Sequence, residues 1–224
     1  MHTFHIITLF PKIIDTYANT SILKRAQEHN IISVISHDLR MYGEGRHKKV
    51  DDTPYGGGPG MVMKVEPIYH AVEGIKKNYP SRKKRYGRRV VLFSTRGKQF
   101  TNKEAKRLSR YDQLIFISGR YEGVDERVAT YIADEELSIG PFILSGGELP
   151  SLVVLDAIAR YIPGVLGKEE SLEDIKGSYP VYTRPEEFSP DSASKKSKWR
   201  VPSMLMSGDH KKIAAWRKRY NKSY

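Results

Sequence analysis

Three glycine-bearing stretches hold the residues best suited to chemistry in this sequence: "DDTPYGGGPGM" (51–61), "SGRYEGVDERV" (118–128) and "SIGPFILSGGELP" (138–150). Glycine leaves the main chain open to close approach and proline holds φ fixed, so the first stretch reads as a shaped loop rather than a tether. The second follows a buried apolar run and the third leads into a helical pattern, which makes both candidate walls of a pocket at the carboxyl end of a sheet. Taken singly, each reads as a tight turn; together they point to a ligand site. Common phosphate cradles are excluded: no GxxxxGK[ST] is present, and residues 56–61 run GGGPGM, which breaks the GxGxxG spacing. There is no cysteine and no GxSxG, so thiolate metal sites and the usual serine nucleophile are also absent. His2, His5, His37, His47, His70 and His210 show no paired ligand spacing for structural zinc, while a hard cation on carboxylates such as Glu122 stays open.

Such loops need a rigid frame. "FHIITLF" (4–10) reads as a strand stopped by Pro11, and a helix carrying Ile13, Ile14 and Tyr17 follows. "IISVISHDL" (31–39), "RVVLFS" (89–94) and "QLIFISG" (113–119) read as further strands. "VEPIYHAVEGI" (65–75) predicts a helix with Pro67 in its first turn and Ile68, Ala71, Val72 and Ile75 on one face. "TNKEAKRL" (101–108) opens with a Thr101/Glu104 capping box. "LPSLVVLDAIARYIPG" (149–164) predicts one helix ended by Pro163 and Gly164, with Asp156 and Arg160 one turn apart on one face. The alternation implies an α/β domain with a mainly parallel sheet. Residues 167–203 turn polar, and "SGDHKKIAAWRKRY" (207–220) offers Ser207 or Asp209 as the cap of a basic helix. A domain boundary is expected near 165–175.

At 224 residues and 39% hydrophobic content the chain can bury one large core or two modest ones. It has no apolar run long enough to span a membrane, and its N-terminus reads as a strand rather than a signal peptide. The lack of cysteine suits a reducing cytoplasm. The net charge of +12 is segregated: residues 76–89 hold eight basic residues and no acid, and residues 195–222 hold ten with one acid, Asp209. A segregated positive field suits a polyanion, and Tyr79, Tyr86, Trp199, Trp216 and Tyr220 lie within it as base-stacking candidates.

The order of "VDDTPYGGGPGM", "GRYEGVDERV", "SIGPFILSGGELP", "RYIPGVLG", "YTRP" and "SGDHKKI" resembles the bacterial tRNA (guanine-N1)-methyltransferases, the TrmD family of the SPOUT methyltransferases, from Met1 to about residue 219. The resemblance implies an α/β SPOUT-type domain with a deep C-terminal trefoil knot over residues 1–166, a linker over 167–182 and a small, trimmed helical tRNA-binding domain over 183–224. It implies a homodimer with its active site at the subunit interface. It also implies S-adenosylmethionine as methyl donor, clasped by Ser94, Thr95 and Gly97, by Gly119, Tyr121 and Glu122, and by Ile139, Gly140, Leu144, Gly146, Gly147 and Pro150. The methyl group goes to N1 of the guanine just 3′ of the anticodon, tRNA position 37.

Guanine N1 carries a proton at neutral pH, so a base is needed near N1 and a positive group near O6. By motif these match Asp174 in "KEESLED" and Arg160. Asp51, Gly60, Ser207 and His210 match tRNA-contacting positions, and magnesium is implied with Glu122 and Asp174 as contributors. The chain departs from the family pattern in three places. Only "IKGSYPV" separates Asp174 from "YTRP", which leaves Glu173 and Glu170 open as alternative bases; the chain stops at Tyr224; and Leu92 stands where a tyrosine is common. The alternatives are a SPOUT-fold RNA-binding protein that has lost catalysis, or a methyltransferase for another RNA site. If the two basic segments meet phosphates, tRNA affinity should fall steeply with added salt in a filter-binding titration; a flat dependence would mean that they face solvent.

Overall fold

The protein is described by a computed structural model over residues 1–81, 86–167, 178–190 and 198–221. Its apolar runs become strands β1 (His2–Thr8), β2 (Ile32–Asp38), β5 (Arg88–Gln99), β6 (Gln113–Ile117) and β7 (Glu135–Ser138). All are parallel, in the order β2-β1-β6-β5-β7. Every residue of β6 is buried, as expected of a central strand covered on both sides. The two-residue side-chain period then sorts the core. Phe4, Ile6, Val91, Phe93, Leu114 and Phe116 meet α1 (Pro11–Ala18), α2 (Ser21–Glu28), α4 (Asn102–Leu108) and α6 (Glu148–Ala159). Ile7, Val90, Leu92, Ile115 and Ile117 meet α3 (Val65–Asn78) and α5 (Glu126–Tyr131) on the other face. In α3 the expected face of Ile68, Ala71, Val72 and Ile75 is the buried one.

The chain divides into two compact units, Met1–Gly167 and Lys168–Tyr224. In the first, β3 (Asp51–Asp52) and β4 (Val62–Met63) pair antiparallel outside the main sheet. In the second, β8 (Glu187–Phe188) pairs antiparallel with β9 (Trp199–Arg200), and the helix His210–Tyr220 stacks Trp216 on Tyr220 at 4.7 Å between ring centroids. Asp209 is the cap of that helix, accepting from the Lys211 and Lys212 amides at 3.1 Å each, while Ser207 closes the preceding turn. Among the described residues no helix is long and apolar enough to cross a membrane.

Two local expectations are corrected. Thr101 precedes α4 without a side-chain cap bond, because Glu104 turns inward and accepts from Lys98 and Arg107 at 2.7 Å each, leaving no reciprocal partner for a capping box. The long helix stops at Ala159 with Arg160 as its C-cap; Tyr161 and Ile162 bond three residues back, so the chain tightens into turns before Pro163 is reached.

The strands also assemble a polar cluster that spacing does not reveal. His5 on β1 is fully buried, its Nδ1 is 3.0 Å from His37 Nε2 on β2, and Tyr79 covers it at 4.6 Å. Burial, with the positive charge of His37 and Arg88, pushes the His5 imidazole down to about 3, and burial lowers His37 as well. The His5 ring is therefore neutral in the folded chain, whereas in the unfolded chain it takes up a proton near pH 6.5. The associated stability is present above that pH and is lost as pH falls toward 3. Urea unfolding should show His5 costing roughly 2 kcal/mol between pH 7 and pH 5. His5→Phe should remove most of that loss, and an undiminished loss in the variant would contradict the assignment.

Candidate functional site

The third glycine cluster leaves the end of β7 and becomes the start of α6, and it meets the second cluster at the end of β6. Gly147, the N-cap of α6, donates its N–H to the Gly119 carbonyl at 2.8 Å. The Ser118 and Ser151 hydroxyls lie 2.8 Å apart, and Ser151 Oγ also donates to the Gly147 carbonyl at 2.8 Å. A Cβ on Gly147 would stand 2.6 Å from Ser118 Cα and 2.8 Å from the Gly119 nitrogen, so only a bare main chain fits there. Beside this junction the Glu148 carboxylate is buried. Thr8 donates to its Oε1 at 2.7 Å and Arg120 Nε to its Oε2 at 2.8 Å, while the Arg120 guanidinium lies over the Phe10 ring at 4.5 Å.

The third wall comes from β5. Its register with β7 breaks between Phe93 and Lys98, which both pair with Leu137, so Ser94, Thr95, Arg96 and Gly97 turn out of the ladder. Arg96 N–H donates to Ser94 Oγ at 3.1 Å, and the Arg96 guanidinium meets Glu126 at 2.6 Å. Glu126, with Glu136 beyond it, holds that guanidinium above its ordinary range.

These segments enclose a cavity of about 580 Å³. Of the twelve positions expected at the methyl donor, eleven line it; Gly97 instead lies against the Leu137 backbone. Leu92, at the family's tyrosine position, is also on the wall. Arg120, Glu126, Glu136 and Phe142 line the cavity without having been singled out from the sequence. Tyr121 holds φ at +61°, an uncommon conformation for a side chain of that size and one that concentrates at ligand sites.

The first glycine cluster borders the same region. Glu122 N–H donates to the Met61 carbonyl and Met63 N–H to the Gly123 carbonyl, both at 3.0 Å. Gly60, at φ +78°, presses so closely on Glu122 that a Cβ would meet its side chain at 2.5 Å. Asp51 pairs with Met63 across β3 and β4 and so sits at the base of this loop.

A family model described as tRNA (Guanine-1)-methyltransferase TrmD matches residues 2–223. The chain belongs to the TrmD family. It is 47% identical over 219 residues to a tRNA (guanine-N(1)-)-methyltransferase of Carboxydothermus hydrogenoformans, covering 96% of this chain and 80% of that one. Against the corresponding protein of Clostridioides difficile it is 43% identical over 224 residues, covering 96% and 90%. The crystal structure of tRNA (m1G37) methyltransferase from Aquifex aeolicus superposes with a TM-score of 0.78 at 40% identity, covering 96% of this chain and 87% of that chain.

The remaining TrmD-motif positions are spread more widely. Arg160 caps α6, half-buried and without an ion-pair partner among the described residues; Asp156 instead interacts with the Tyr17 hydroxyl, whose pKa is raised by burial and by that carboxylate. Asp174, Glu173 and Glu170 lie outside the described residues. Ser207 and His210 are exposed in the second unit, with Ser207 Oγ donating to the Met204 carbonyl at 2.8 Å. Glu122 is the one described candidate for magnesium, and no group of three metal-ligating side chains occurs among the described residues. Part of the first basic segment is turned to internal use, since Arg88 donates to Gln113 at 2.9 Å and Arg89 to Glu135 at 2.8 Å. Tyr79 and Tyr86 are likewise packed on His5 and Tyr111, whereas Trp199 stays exposed beside Phe188.

The junction gives a direct test. Gly147→Ala should cost about 1–3 kcal/mol in urea unfolding, because the atoms it would strike are main chain and cannot give way. Gly74→Ala in α3, where the nearest atom is a Tyr42 ring carbon at 3.4 Å, should be neutral or stabilising. Equal costs at both positions would contradict the close approach.

Proposed function

We propose that this chain transfers the methyl group of S-adenosylmethionine to N1 of guanine 37 of tRNA, the nucleotide 3′ of the anticodon. The observation that carries the reading is a cavity shared by the β5 bulge and the loops after β6 and β7 in a chain of the TrmD family. Its volume suits a nucleoside-sized ligand, and its lining combines apolar side chains with Gly119, Gly140 and Gly146. S-adenosylmethionine, when bound, supplies an electrophilic methyl group on a sulfonium.

The rest of the chemistry falls to this chain's residues. Main-chain N–H and C=O groups of residues 139–147 are suited to the edge of an adenine, and Tyr121 and Glu122 to the polar parts of the same ligand. A carboxylate takes the N1 proton, a role we assign to Asp174 with Glu173 and Glu170 open. Arg160, permanently charged and planar, donates to O6 as negative charge develops there. Magnesium would have Glu122 as its described ligand.

We further infer that residues 1–166 form a SPOUT domain with the family's C-terminal trefoil knot, that residues 167–182 form a linker and that residues 183–224, with exposed Trp199 and the basic helix, hold tRNA. A homodimer is supported by exposed Phe10 just before α1, Ile13 and Tyr17 on α1, and Leu149 and Val153 on the adjoining α6, an apolar surface suited to a second copy. A tRNA substrate places the reaction in the cytoplasm.

Labelled S-adenosylmethionine and an unmodified tRNA transcript with guanine at position 37 test the reading, with the modified nucleotide mapped after digestion. N1-methylguanosine at that position is expected. Asp174→Ala should lose about a hundredfold or more in rate while binding S-adenosylmethionine normally. tRNA binding without transfer would favour an RNA-binding protein, and label at another nucleotide a different methyltransferase.

A further inference from the structure

Glu136 stands on β7 opposite Leu92 of β5 and lines the cavity. Its neighbour Glu135 is used structurally, accepting from Arg89 at 2.8 Å and from Arg107 at 2.5 Å. Glu136 differs. Its Oε2 is enclosed by protein with no hydrogen-bond partner among the described residues. An enclosed carboxylate oxygen without a donor is costly, and native structures keep few of them.

The other charges of the wall relieve it only at a distance, through Arg96. Arg96 is engaged with Glu126 at 2.6 Å and Arg120 with Glu148 at 2.8 Å, so both arginines have carboxylate partners. The lining carries Glu122, Glu126 and Glu136 against Arg96 and Arg120, an excess of one acid. A cationic ligand entering the cavity would add to the distant Arg96 charge in balancing it.

We propose that Glu136 is a specificity-determining residue that makes the cavity prefer the cationic methyl donor to its neutral product. The inference rests on S-adenosylmethionine being the occupant. At neutral pH that molecule carries a sulfonium, an ammonium and a carboxylate, for a net positive charge. In transfer the S–CH₃ bond breaks with its electron pair kept by sulfur, the methyl group bonds to N1, and the N1 proton goes to the base. S-adenosylhomocysteine is then a neutral thioether with no net charge. A carboxylate held in the wall attracts the first and not the second, which favours exchange of spent product for fresh donor.

Calorimetric titration of wild type and Glu136→Gln with each of the two compounds tests this. The variant should bind S-adenosylmethionine about fivefold or more weakly, as expected for a lost charge at short range in a partly enclosed site. Its affinity for S-adenosylhomocysteine should stay within about twofold, the ratio of the two affinities carrying the signature. Glu136→Asp, which keeps the charge, should keep the preference. The melting temperature of Glu136→Gln should equal or exceed that of wild type, since no partner is lost.

Equal weakening toward both compounds, no change toward either, or loss of the folding transition in Glu136→Gln would each overturn the role. Wild type binding neither compound would overturn the cofactor reading with it. Wild type binding both, with an unaltered ratio in the variant, would leave the cofactor reading standing and reject Glu136 alone.

Discussion

Main chain against main chain at the end of β6 is the constraint on which the site depends. The Gly147 N–H reaches the Gly119 carbonyl only because Gly147 carries no side chain, which would strike the Ser118 and Gly119 main chain, and the Ser118 and Ser151 hydroxyls lock the same contact from the buried side. With that distance fixed, α6 starts directly on the sheet. The segment between β7 and α6 then folds over the ends of β5 and β6 instead of running into solvent, and a cavity results.

Charge acts on this junction as a positioning device. Glu148, buried in the first turn of α6, takes a hydroxyl donor from β1 and a guanidinium from the second glycine cluster, so three separate chain segments meet on one carboxylate. Buried pairs of this kind contribute little net stability but become costly when one partner is removed. Their effect is geometric: they hold Arg120 away from the cavity's own acids. Across the opposite wall Arg96 pairs with Glu126, an acid of the lining itself. The carboxylates left over follow from these pairings.

The legible parts of the sequence were those where one local signal suffices. Strands β1, β5 and β6 stand out as apolar runs because a central parallel strand is buried on both faces. The glycine clusters stand out because close approach demands a bare chain. The short elements α2, α5 and β7 gave no such signal, since their apolar positions are few and the sheet supplies the remaining stabilisation. Thr101 and Glu104 matched a capping pattern, but Lys98 and Arg107 offered Glu104 two charged partners, a stronger interaction than a lone amide. His5 and His37 are 32 residues apart and meet only through strand register. Glu136 was unreadable for a related reason: its distinction from Glu135 is the face of β7 on which it lies.

The account's central claim is that one ligand is held jointly by the β5 bulge and the loops after β6 and β7. Hydrogen–deuterium exchange on the purified protein with and without saturating S-adenosylmethionine tests it most directly. The account predicts slowed exchange together in residues 94–97, 119–124 and 139–147. Protection confined to residues 51–61 or to the second unit, with those three segments unchanged, would contradict it.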